Sequence, residues 1–530
     1  MFLPKSPTGQ ALAIQRQPLP GRQRSAGVPR SEVGFNTAHI DSSDNVLAPE
    51  ATASARVSSG LQYPSHDLAA AAEPGSPHRS ALAAQIRKNE SAGGLAWPIG
   101  IFLCALIVPW IIPVGTMSMS VCRFILLVSM VPCIIRLLTG SALRILPADI
   151  GLVCFCAWAA AGLAVTYGPG PAIQPAGMLF IETMGAYLLG RCFIRNAADF
   201  HAMARLMTVL VMLLAPFAIY EWLTSKNLIL VGFGYIFPTP AALSETRHGF
   251  TRVQGPFSHS IEFGVFCSSV LLLSVLSAAR RGRARSSFVA AACVAGCALL
   301  SMSSAATAIL ILQIGLLGWD RILRTLAARW KLLGALIFMA YLVVEFGSNQ
   351  TPVQFYISRF TFDPWTGWWR LAIWEYGSAS VRNHPMFGIG FEDWLRPSWM
   401  YSASVDNFWL ITAMRHGLPA VILLMGSCLW ALGSVAFRHD LDGELRHYRF
   451  VYIATVVAFM LVGWTVHFWG SVYAWFMFLL GSGSWLLESP RPAKRQASSA
   501  ALIEAMPATP SQRLNRLESV SPARSAHRHA

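Results

Sequence analysis

Apolar residues run along this chain in blocks of about 20, the length that crosses a bilayer as a helix. The blocks fall at 95–114, 119–139, 149–167, 175–193, 204–223, 261–279, 287–301, 304–319, 332–346, 406–437, 450–470 and 471–487. The pattern predicts an all-α polytopic membrane protein with about 12 transmembrane helices. Blocks 287–301 and 304–319 share a nearly continuous apolar run, so a tight hairpin or one bent element is expected there. Two polar interruptions exceed the others, at 224–260 and 347–405. The second is rich in Trp and Arg, and so long a stretch with no packing role is unusual. The expected organisation is a tail at 1–94, helices 1 to 9 over 95–346 with an outer loop at 224–260, a long loop at 347–405, helices 10 to 12 over 406–487, and a tail at 488–530. Both tails are rich in Ser, Ala, Pro and Arg, lack sustained apolar periodicity and read as disordered. No apolar block lies near Met1, so a cleaved signal peptide is not expected.

Composition narrows the class. With 54% hydrophobic and 13% charged residues, a soluble enzyme is excluded. The net charge of +15 lies mostly in tails and short connections, where it orients the helices and does not bind nucleic acid. Arg136 and Arg144 follow the second block, Arg280, Arg281, Arg283 and Arg285 the sixth, Arg321, Arg324 and Arg329 the eighth, and Arg438, Arg446 and Arg449 the tenth. The alternation puts both termini in the cytoplasm. Both long loops then face the periplasm, if the cell is Gram-negative and the membrane its inner one. The ten cysteines sit in or beside apolar blocks, as small membrane-buried residues do, and show no zinc spacing.

Three motifs carry candidate chemistry. Arg252-Val253-Gln254-Gly255-Pro256-Phe257-Ser258-His259-Ser260 leads into Ile261-Glu262 at a membrane entrance. An Arg there can clamp a phosphate; the structural alternative is headgroup contact for Arg252 and a helix cap for His259. Trp368-Trp369-Arg370 precedes Trp374, His384-Pro385 and Gly388-Ile389-Gly390. Leu371, Trp374 and Ser378 follow Arg370 at helical spacing, which predicts an amphipathic helix lying on the membrane. His384 through Gly390 reads as a turn. The Trp residues also suit an interfacial belt. Asp406-Asn407 stands where the chain re-enters the membrane, Asp406 as a carboxylate base or as a helix N-cap. Arg123, Glu182, Arg415 and His416 lie inside apolar blocks, where ionisable groups usually face a cavity.

Together, R-x-x-G-x-F-x-H, R-x-x-x-W, H-P-x-x-G-I-G and D-N-x-x-L-x(6)-G resemble the O-antigen ligase and O-antigen polymerase superfamily, across roughly 95–487. The resemblance implies a GT-C-like helical fold with a long periplasmic loop before the last helices. It implies a metal-independent, inverting glycosyltransferase with no cofactor. Its partners would be an undecaprenyl-diphosphate-linked glycan, a polysaccharide or lipid A-core acceptor, membrane lipids and a chain-length regulator. Carried over, Arg252 and Arg370 bind the donor diphosphate, and Trp369, Trp374, Asn407 and His384 complete the binding set. Many members have His-Asn where this chain has Asp406-Asn407, and Ser-Arg where it has Ser303-Ser304. The first departure leaves the base open among Asp406, His259 and Glu262; the second removes one expected cation.

The implied reaction expels a lipid diphosphate, so cations at the leaving group lower the barrier. Asp in place of His tilts the reading toward a polymerase of lipid-linked repeat units over a ligase to lipid A-core. A lipid-linked oligosaccharide flippase is the alternative from another class, but it would concentrate charge near the bilayer midplane. Here the informative residues crowd one surface.

Overall fold

The computed structural model describes residues 95–488, without 116, 140–144, 248, 280–283, 360, 362–363, 439 and 442. The chain divides into units 1–75 and 76–530; the first lies outside the described residues, as do the tails read as disordered. In chain order the described elements are α1 (Trp97–Ala105), β1 (Ile111–Val114), β2 (Met117–Ser120), α2 (Val121–Leu138), α3 (Pro147–Tyr167), α4 (Pro169–Phe180), a π-turn (Ile181–Gly185), α5 (Ala186–Phe193), α6 (Ala197–Thr224) and α7 (Leu228–Gly234). There follow β3 (Thr246–Arg247), β4 (Phe250–Thr251), α8 (Ser260–Ser269), α9 (Leu271–Ala279), α10 (Ala284–Leu300), α11 (Ser304–Ile322), α12 (Arg329–Gly347), α13 (Pro352–Arg359), α14 (Pro364–Asn383), α15 (Phe408–Ala436), α16 (Gly443–Val462), α17 (Gly470–Ser482) and α18 (Trp485–Glu488).

Among the described residues, nine helical segments are long and apolar enough to cross a membrane. This is an all-α integral membrane protein. The other three predicted blocks form shorter or interrupted helices. The first stops at Ala105, because Pro109 and Pro113 cannot continue it, and the chain turns into the β1–β2 hairpin. The fourth starts earlier than its apolar run, at Pro169, and loosens into the π-turn around Glu182. The seventh, α10, is separated from α11 at Ser301–Ser303, where Met302 takes a φ of 50°.

The helices differ in what surrounds them. The segment 260–278 has 89% of its best window buried and 470–488 has 83%, whereas α12 has no buried residue. The first two are therefore the centre, and α12 exposes every face. Small residues let backbones meet: a Cβ at Gly190 or Gly481 would strike the other helix's backbone where α5 crosses α17. A buried Arg191–Asp149 pair at 2.9 Å, with the Tyr187 hydroxyl donating to Asp149 at 2.7 Å, satisfies the charges in that region.

The long stretch after α12 is not a surface loop throughout. Helix α14 begins at Pro364, before Arg370, and runs beside the first half of α15 in the same direction. Gly377 meets Leu410 and Met414, and beyond the helix Pro385 accepts from Leu418 N at 2.8 Å. By then the chain is level with a point roughly 15 Å into α15. It returns along α3: Trp158 Nε1 donates to Met386 O at 3.0 Å, Phe387 stacks on Trp158 at 5.2 Å, and Phe391 N donates to Tyr167 at 2.5 Å. The expectation of a helix lying on the membrane is thus corrected. The physical reason is a break in α15. Gly417 adopts φ 83° and ψ 171°, and Pro419 follows in the first turn of the resumed helix, where its missing N–H is harmless. The break frees the Met414 and Arg415 carbonyls to accept from Ile389 N at 2.8 Å and Gly390 N at 3.0 Å. Non-helical backbone at such a position persists because protein covers it.

Candidate active site

The loop before α8 is fixed by its own backbone and by a carboxylate below it. Glu221, at the end of α6, accepts from Gln254 N at 2.8 Å and Gly255 N at 3.1 Å. The Gln254 amide nitrogen donates to Ala241 O and Phe257 O, and its oxygen accepts from Leu243 N. Gly255 sits at φ 57° with Phe263 where a Cβ would be, so the glycine is required on both counts. Val253 N donates to Leu300 O at 3.1 Å, tying the loop to the end of α10.

On that scaffold the β3–β4 hairpin sets Glu245 opposite Arg252, whose backbone N donates to Glu245 O at 2.9 Å. Arg252 Nη1 donates to Glu245 Oε2 at 2.6 Å, and its Nε reaches Ser301 O at 3.3 Å. The other Glu245 oxygen lies 3.2 Å from His259 Nε2. Hydrogen bonding to His259, with Arg252 and Arg247 nearby, holds the Glu245 carboxyl below its usual range. His259 is also the N-cap of α8, with Nδ1 accepting from Ile261 N at 3.1 Å. Nδ1 therefore accepts, and Nε2 carries the hydrogen donated to Glu245. Glu262 is buried in the first turn of α8 and accepts from Ser258 N at 3.2 Å, a capping duty.

Arg370 comes from α14 and is 6% exposed. Burial pulls the guanidinium pKa of both Arg252 and Arg370 down, while the charge of Asp406 acts on both in the opposite sense and Arg247 adds to the lowering. Two residues from distant segments thus share the same anionic and cationic neighbours. Arg370 also acts on the Tyr356 phenol, which burial pushes up to about 12 and which donates to Leu461 O at 3.0 Å. Arg247 Nη1 donates to Met302 O at 3.0 Å, beside Ser303-Ser304. Asp406 is half-buried, with Ser404 Oγ 3.3 Å from its Oδ1. The N-cap of α15 is Asn407, whose Oδ1 accepts from Leu410 N at 3.0 Å, so Asp406 is relieved of that task.

Arg252 and Arg370 thus both feel the charge of Asp406, and His259 is joined to Arg252 through Glu245. Asn407 and Glu262 are held by capping bonds. Trp374 packs on Trp464 at 6.0 Å within a small apolar core of Ile373, Leu410 and Met414. Trp369 belongs to an aromatic group with Trp365, Trp368, Trp399 and Tyr401, in which Trp365 and Trp368 stack at 4.9 Å. His384 is exposed at the far end of α14, about 20 Å along the helix from Arg370, and does not join them. Arg247, Glu245 and Tyr356 are neighbours that the motifs did not name. No sequence motif marked them, because their place depends on tertiary contacts.

Among the described residues no group of three or more His, Cys, Asp or Glu could hold a metal ion. The arrangement offers three guanidinium groups and two carboxylates, Glu245 paired with Arg252 and Asp406 free of capping duty, which suits a multiply charged anion beside a proton acceptor.

The family model described as O-Antigen ligase matches residues 289–425. That stretch holds Arg370, His384, Asp406 and Asn407, while Arg252, Glu245 and His259 precede it. The match supports the resemblance to the O-antigen ligase and polymerase superfamily. No curated protein matches the chain.

Proposed function

We propose that this protein is an inverting, metal-independent glycosyltransferase that polymerises undecaprenyl-diphosphate-linked repeat units. The observation that carries the reading is that Arg252 and Arg370, from two separate segments, both feel the charge of Asp406, with Arg247 near both. The acceptor hydroxyl oxygen attacks the anomeric carbon of the donor. The bond from that carbon to the diphosphate oxygen breaks, and its electron pair leaves with the lipid diphosphate. The hydroxyl proton passes to the Asp406 carboxylate. Arginines fixed where the leaving group gains charge stabilise the transition state without rearranging. Arg247 supplies the cation that Ser303-Ser304 lacks. Asp406 is a better base than His259, whose two ring nitrogens are both engaged, or Glu262, which caps a helix. The site faces the periplasm of an inner membrane, with both termini cytoplasmic and the aromatic group of Trp368 and Trp369 toward the glycan.

The second reading is transfer of a finished glycan to lipid A-core, favoured by the description of the matched family. Glycan analysis of an Arg370→Ala strain separates the two. Single repeat units on lipid support polymerisation, and long unattached chains support ligation. Normal glycan with normal protein level would remove the arginine cluster from the chemistry.

A further inference from the structure

Arg415 takes no part in the arginine cluster. It lies where two cavities meet, one of about 230 Å³ among α3, the π-turn and α15, the other an outer groove of about 300 Å³. Phe391, Ile411 and Arg415 line both, and none of Arg252, Arg247, Arg370 and Asp406 lines either. The inner cavity has apolar walls such as Phe155, Leu179 and Leu424. Its other cation, Arg123, is neutralised by Glu182 at 2.7 Å. Arg415 has no ion-pair partner among the described residues, and its guanidinium rests 5.0 Å from the Phe391 ring centre. His416 and His467 also line the cavity, and the buried Nδ1 of each has no hydrogen-bond partner there. Buried polar atoms are normally satisfied, so these two point to a missing polar group. The outer groove is polar, with Glu392, Asp393 and Trp394.

An apolar chamber, one unneutralised cation at its neck and a polar groove beyond match one kind of ligand: an amphiphile with an anionic group between chain and head. We propose that this is a second lipid site, which takes a single-chain polyprenyl phosphate. The isoprene units nearest the phosphate occupy the inner cavity, the phosphate meets Arg415, and the polar head leaves along the groove. Transfer between two lipid-linked glycans needs two lipid phosphates held at once. Assigning this one to the acceptor rests on the function proposed above; the existence of the site does not.

The test is native mass spectrometry of the full chain in detergent with undecaprenyl phosphate. Wild type should retain two lipids and Arg415→Gln one. Arg370→Gln should also retain one, by losing the other site, while Arg415→Lys should keep two. Two lipids on Arg415→Gln would overturn the proposal. If that variant does not give monodisperse protein, Thr412→Phe, which fills the chamber and leaves Arg415 in place, decides the matter: one lipid supports the site, two overturn it. Displacement of the Arg415-dependent lipid by inorganic phosphate or by dioleoyl phosphatidylglycerol, at equal concentration, would overturn the single-chain assignment. A protein that holds two lipids but transfers no glycan would sink the enzymatic reading and leave this site standing.

Discussion

Asp406→Asn separates chemistry from architecture. The substitution keeps the size and shape of the side chain and removes its charge. Asn407, not Asp406, caps α15, so no helix N-terminus is lost. The carboxylate is half-buried and accepts from Ser404 Oγ at 3.3 Å. Its pairing with Arg252 and Arg370 is electrostatic at longer range, worth about 1 kcal/mol or less in stability after solvent screening. A general base contributes roughly 10²–10⁴ in rate, or about 2.7–5.4 kcal/mol at ~1.36 kcal/mol per decade. The variant should therefore lose at least ~100-fold in single-turnover transfer, with thermal stability shifted by only about 1 kcal/mol. Asn407→Ala should do the reverse, losing about 1 kcal/mol of stability with a smaller effect on rate. The assay is glycan transfer by purified protein from a lipid-diphosphate donor, beside thermal unfolding in the same detergent. Near-wild-type transfer by Asp406→Asn would refute the base. A large stability loss would show that the carboxylate is architectural instead.

Two further outcomes are expected. Burial, aided by Arg415, pushes His467 down to about 3 from 6.5; the unfolded chain takes up a proton below about 6.5 that the folded chain refuses until about 3, so stability should fall across that window by up to ~1.4 kcal/mol per pH unit. Melting temperatures of wild type should therefore drop more steeply from pH 7 to 4 than those of His467→Phe, and equal slopes would exclude a buried neutral imidazole. Gly417→Ala forces a side chain into a conformation that is nearly glycine-only and into the Met386 carbonyl, at a cost of about 1–3 kcal/mol for the backbone alone; unchanged melting would mean that the break in α15 is not needed.

Much of this architecture could be read from hydrophobic spacing, because most helices here must cover about 30 Å of hydrocarbon and their sequences say so. The arginine motifs and Asp406 were visible because charge at a membrane boundary stands out. Other features depended on tertiary contacts. Helix α14 carries Trp365, Trp368 and Arg370, residues equally at home at an interface, and only the neighbouring α15 shows that Arg370 and Ile373 are buried. The break at Gly417 did have a signal, a Gly two residues before Pro419 in a block longer than one crossing needs. Glu245 and Arg247 lacked one, since their position depends on a two-residue hairpin closing over α8. Prolines 109 and 113 were the sign that the first block could not stay helical.

The position of α14 has a consequence for biogenesis. This helix is not among the segments apolar enough to cross unaided, and its α15 partners Leu410 and Met414 are encoded after it. During synthesis it emerges with the short α13 beside it, where Gly367 meets Ser358, but without α15. Its docking must wait until α15 has been inserted, so the arginine it carries reaches its place only late in assembly. A chain halted near residue 400 would hold most of its membrane helices and still lack a finished centre.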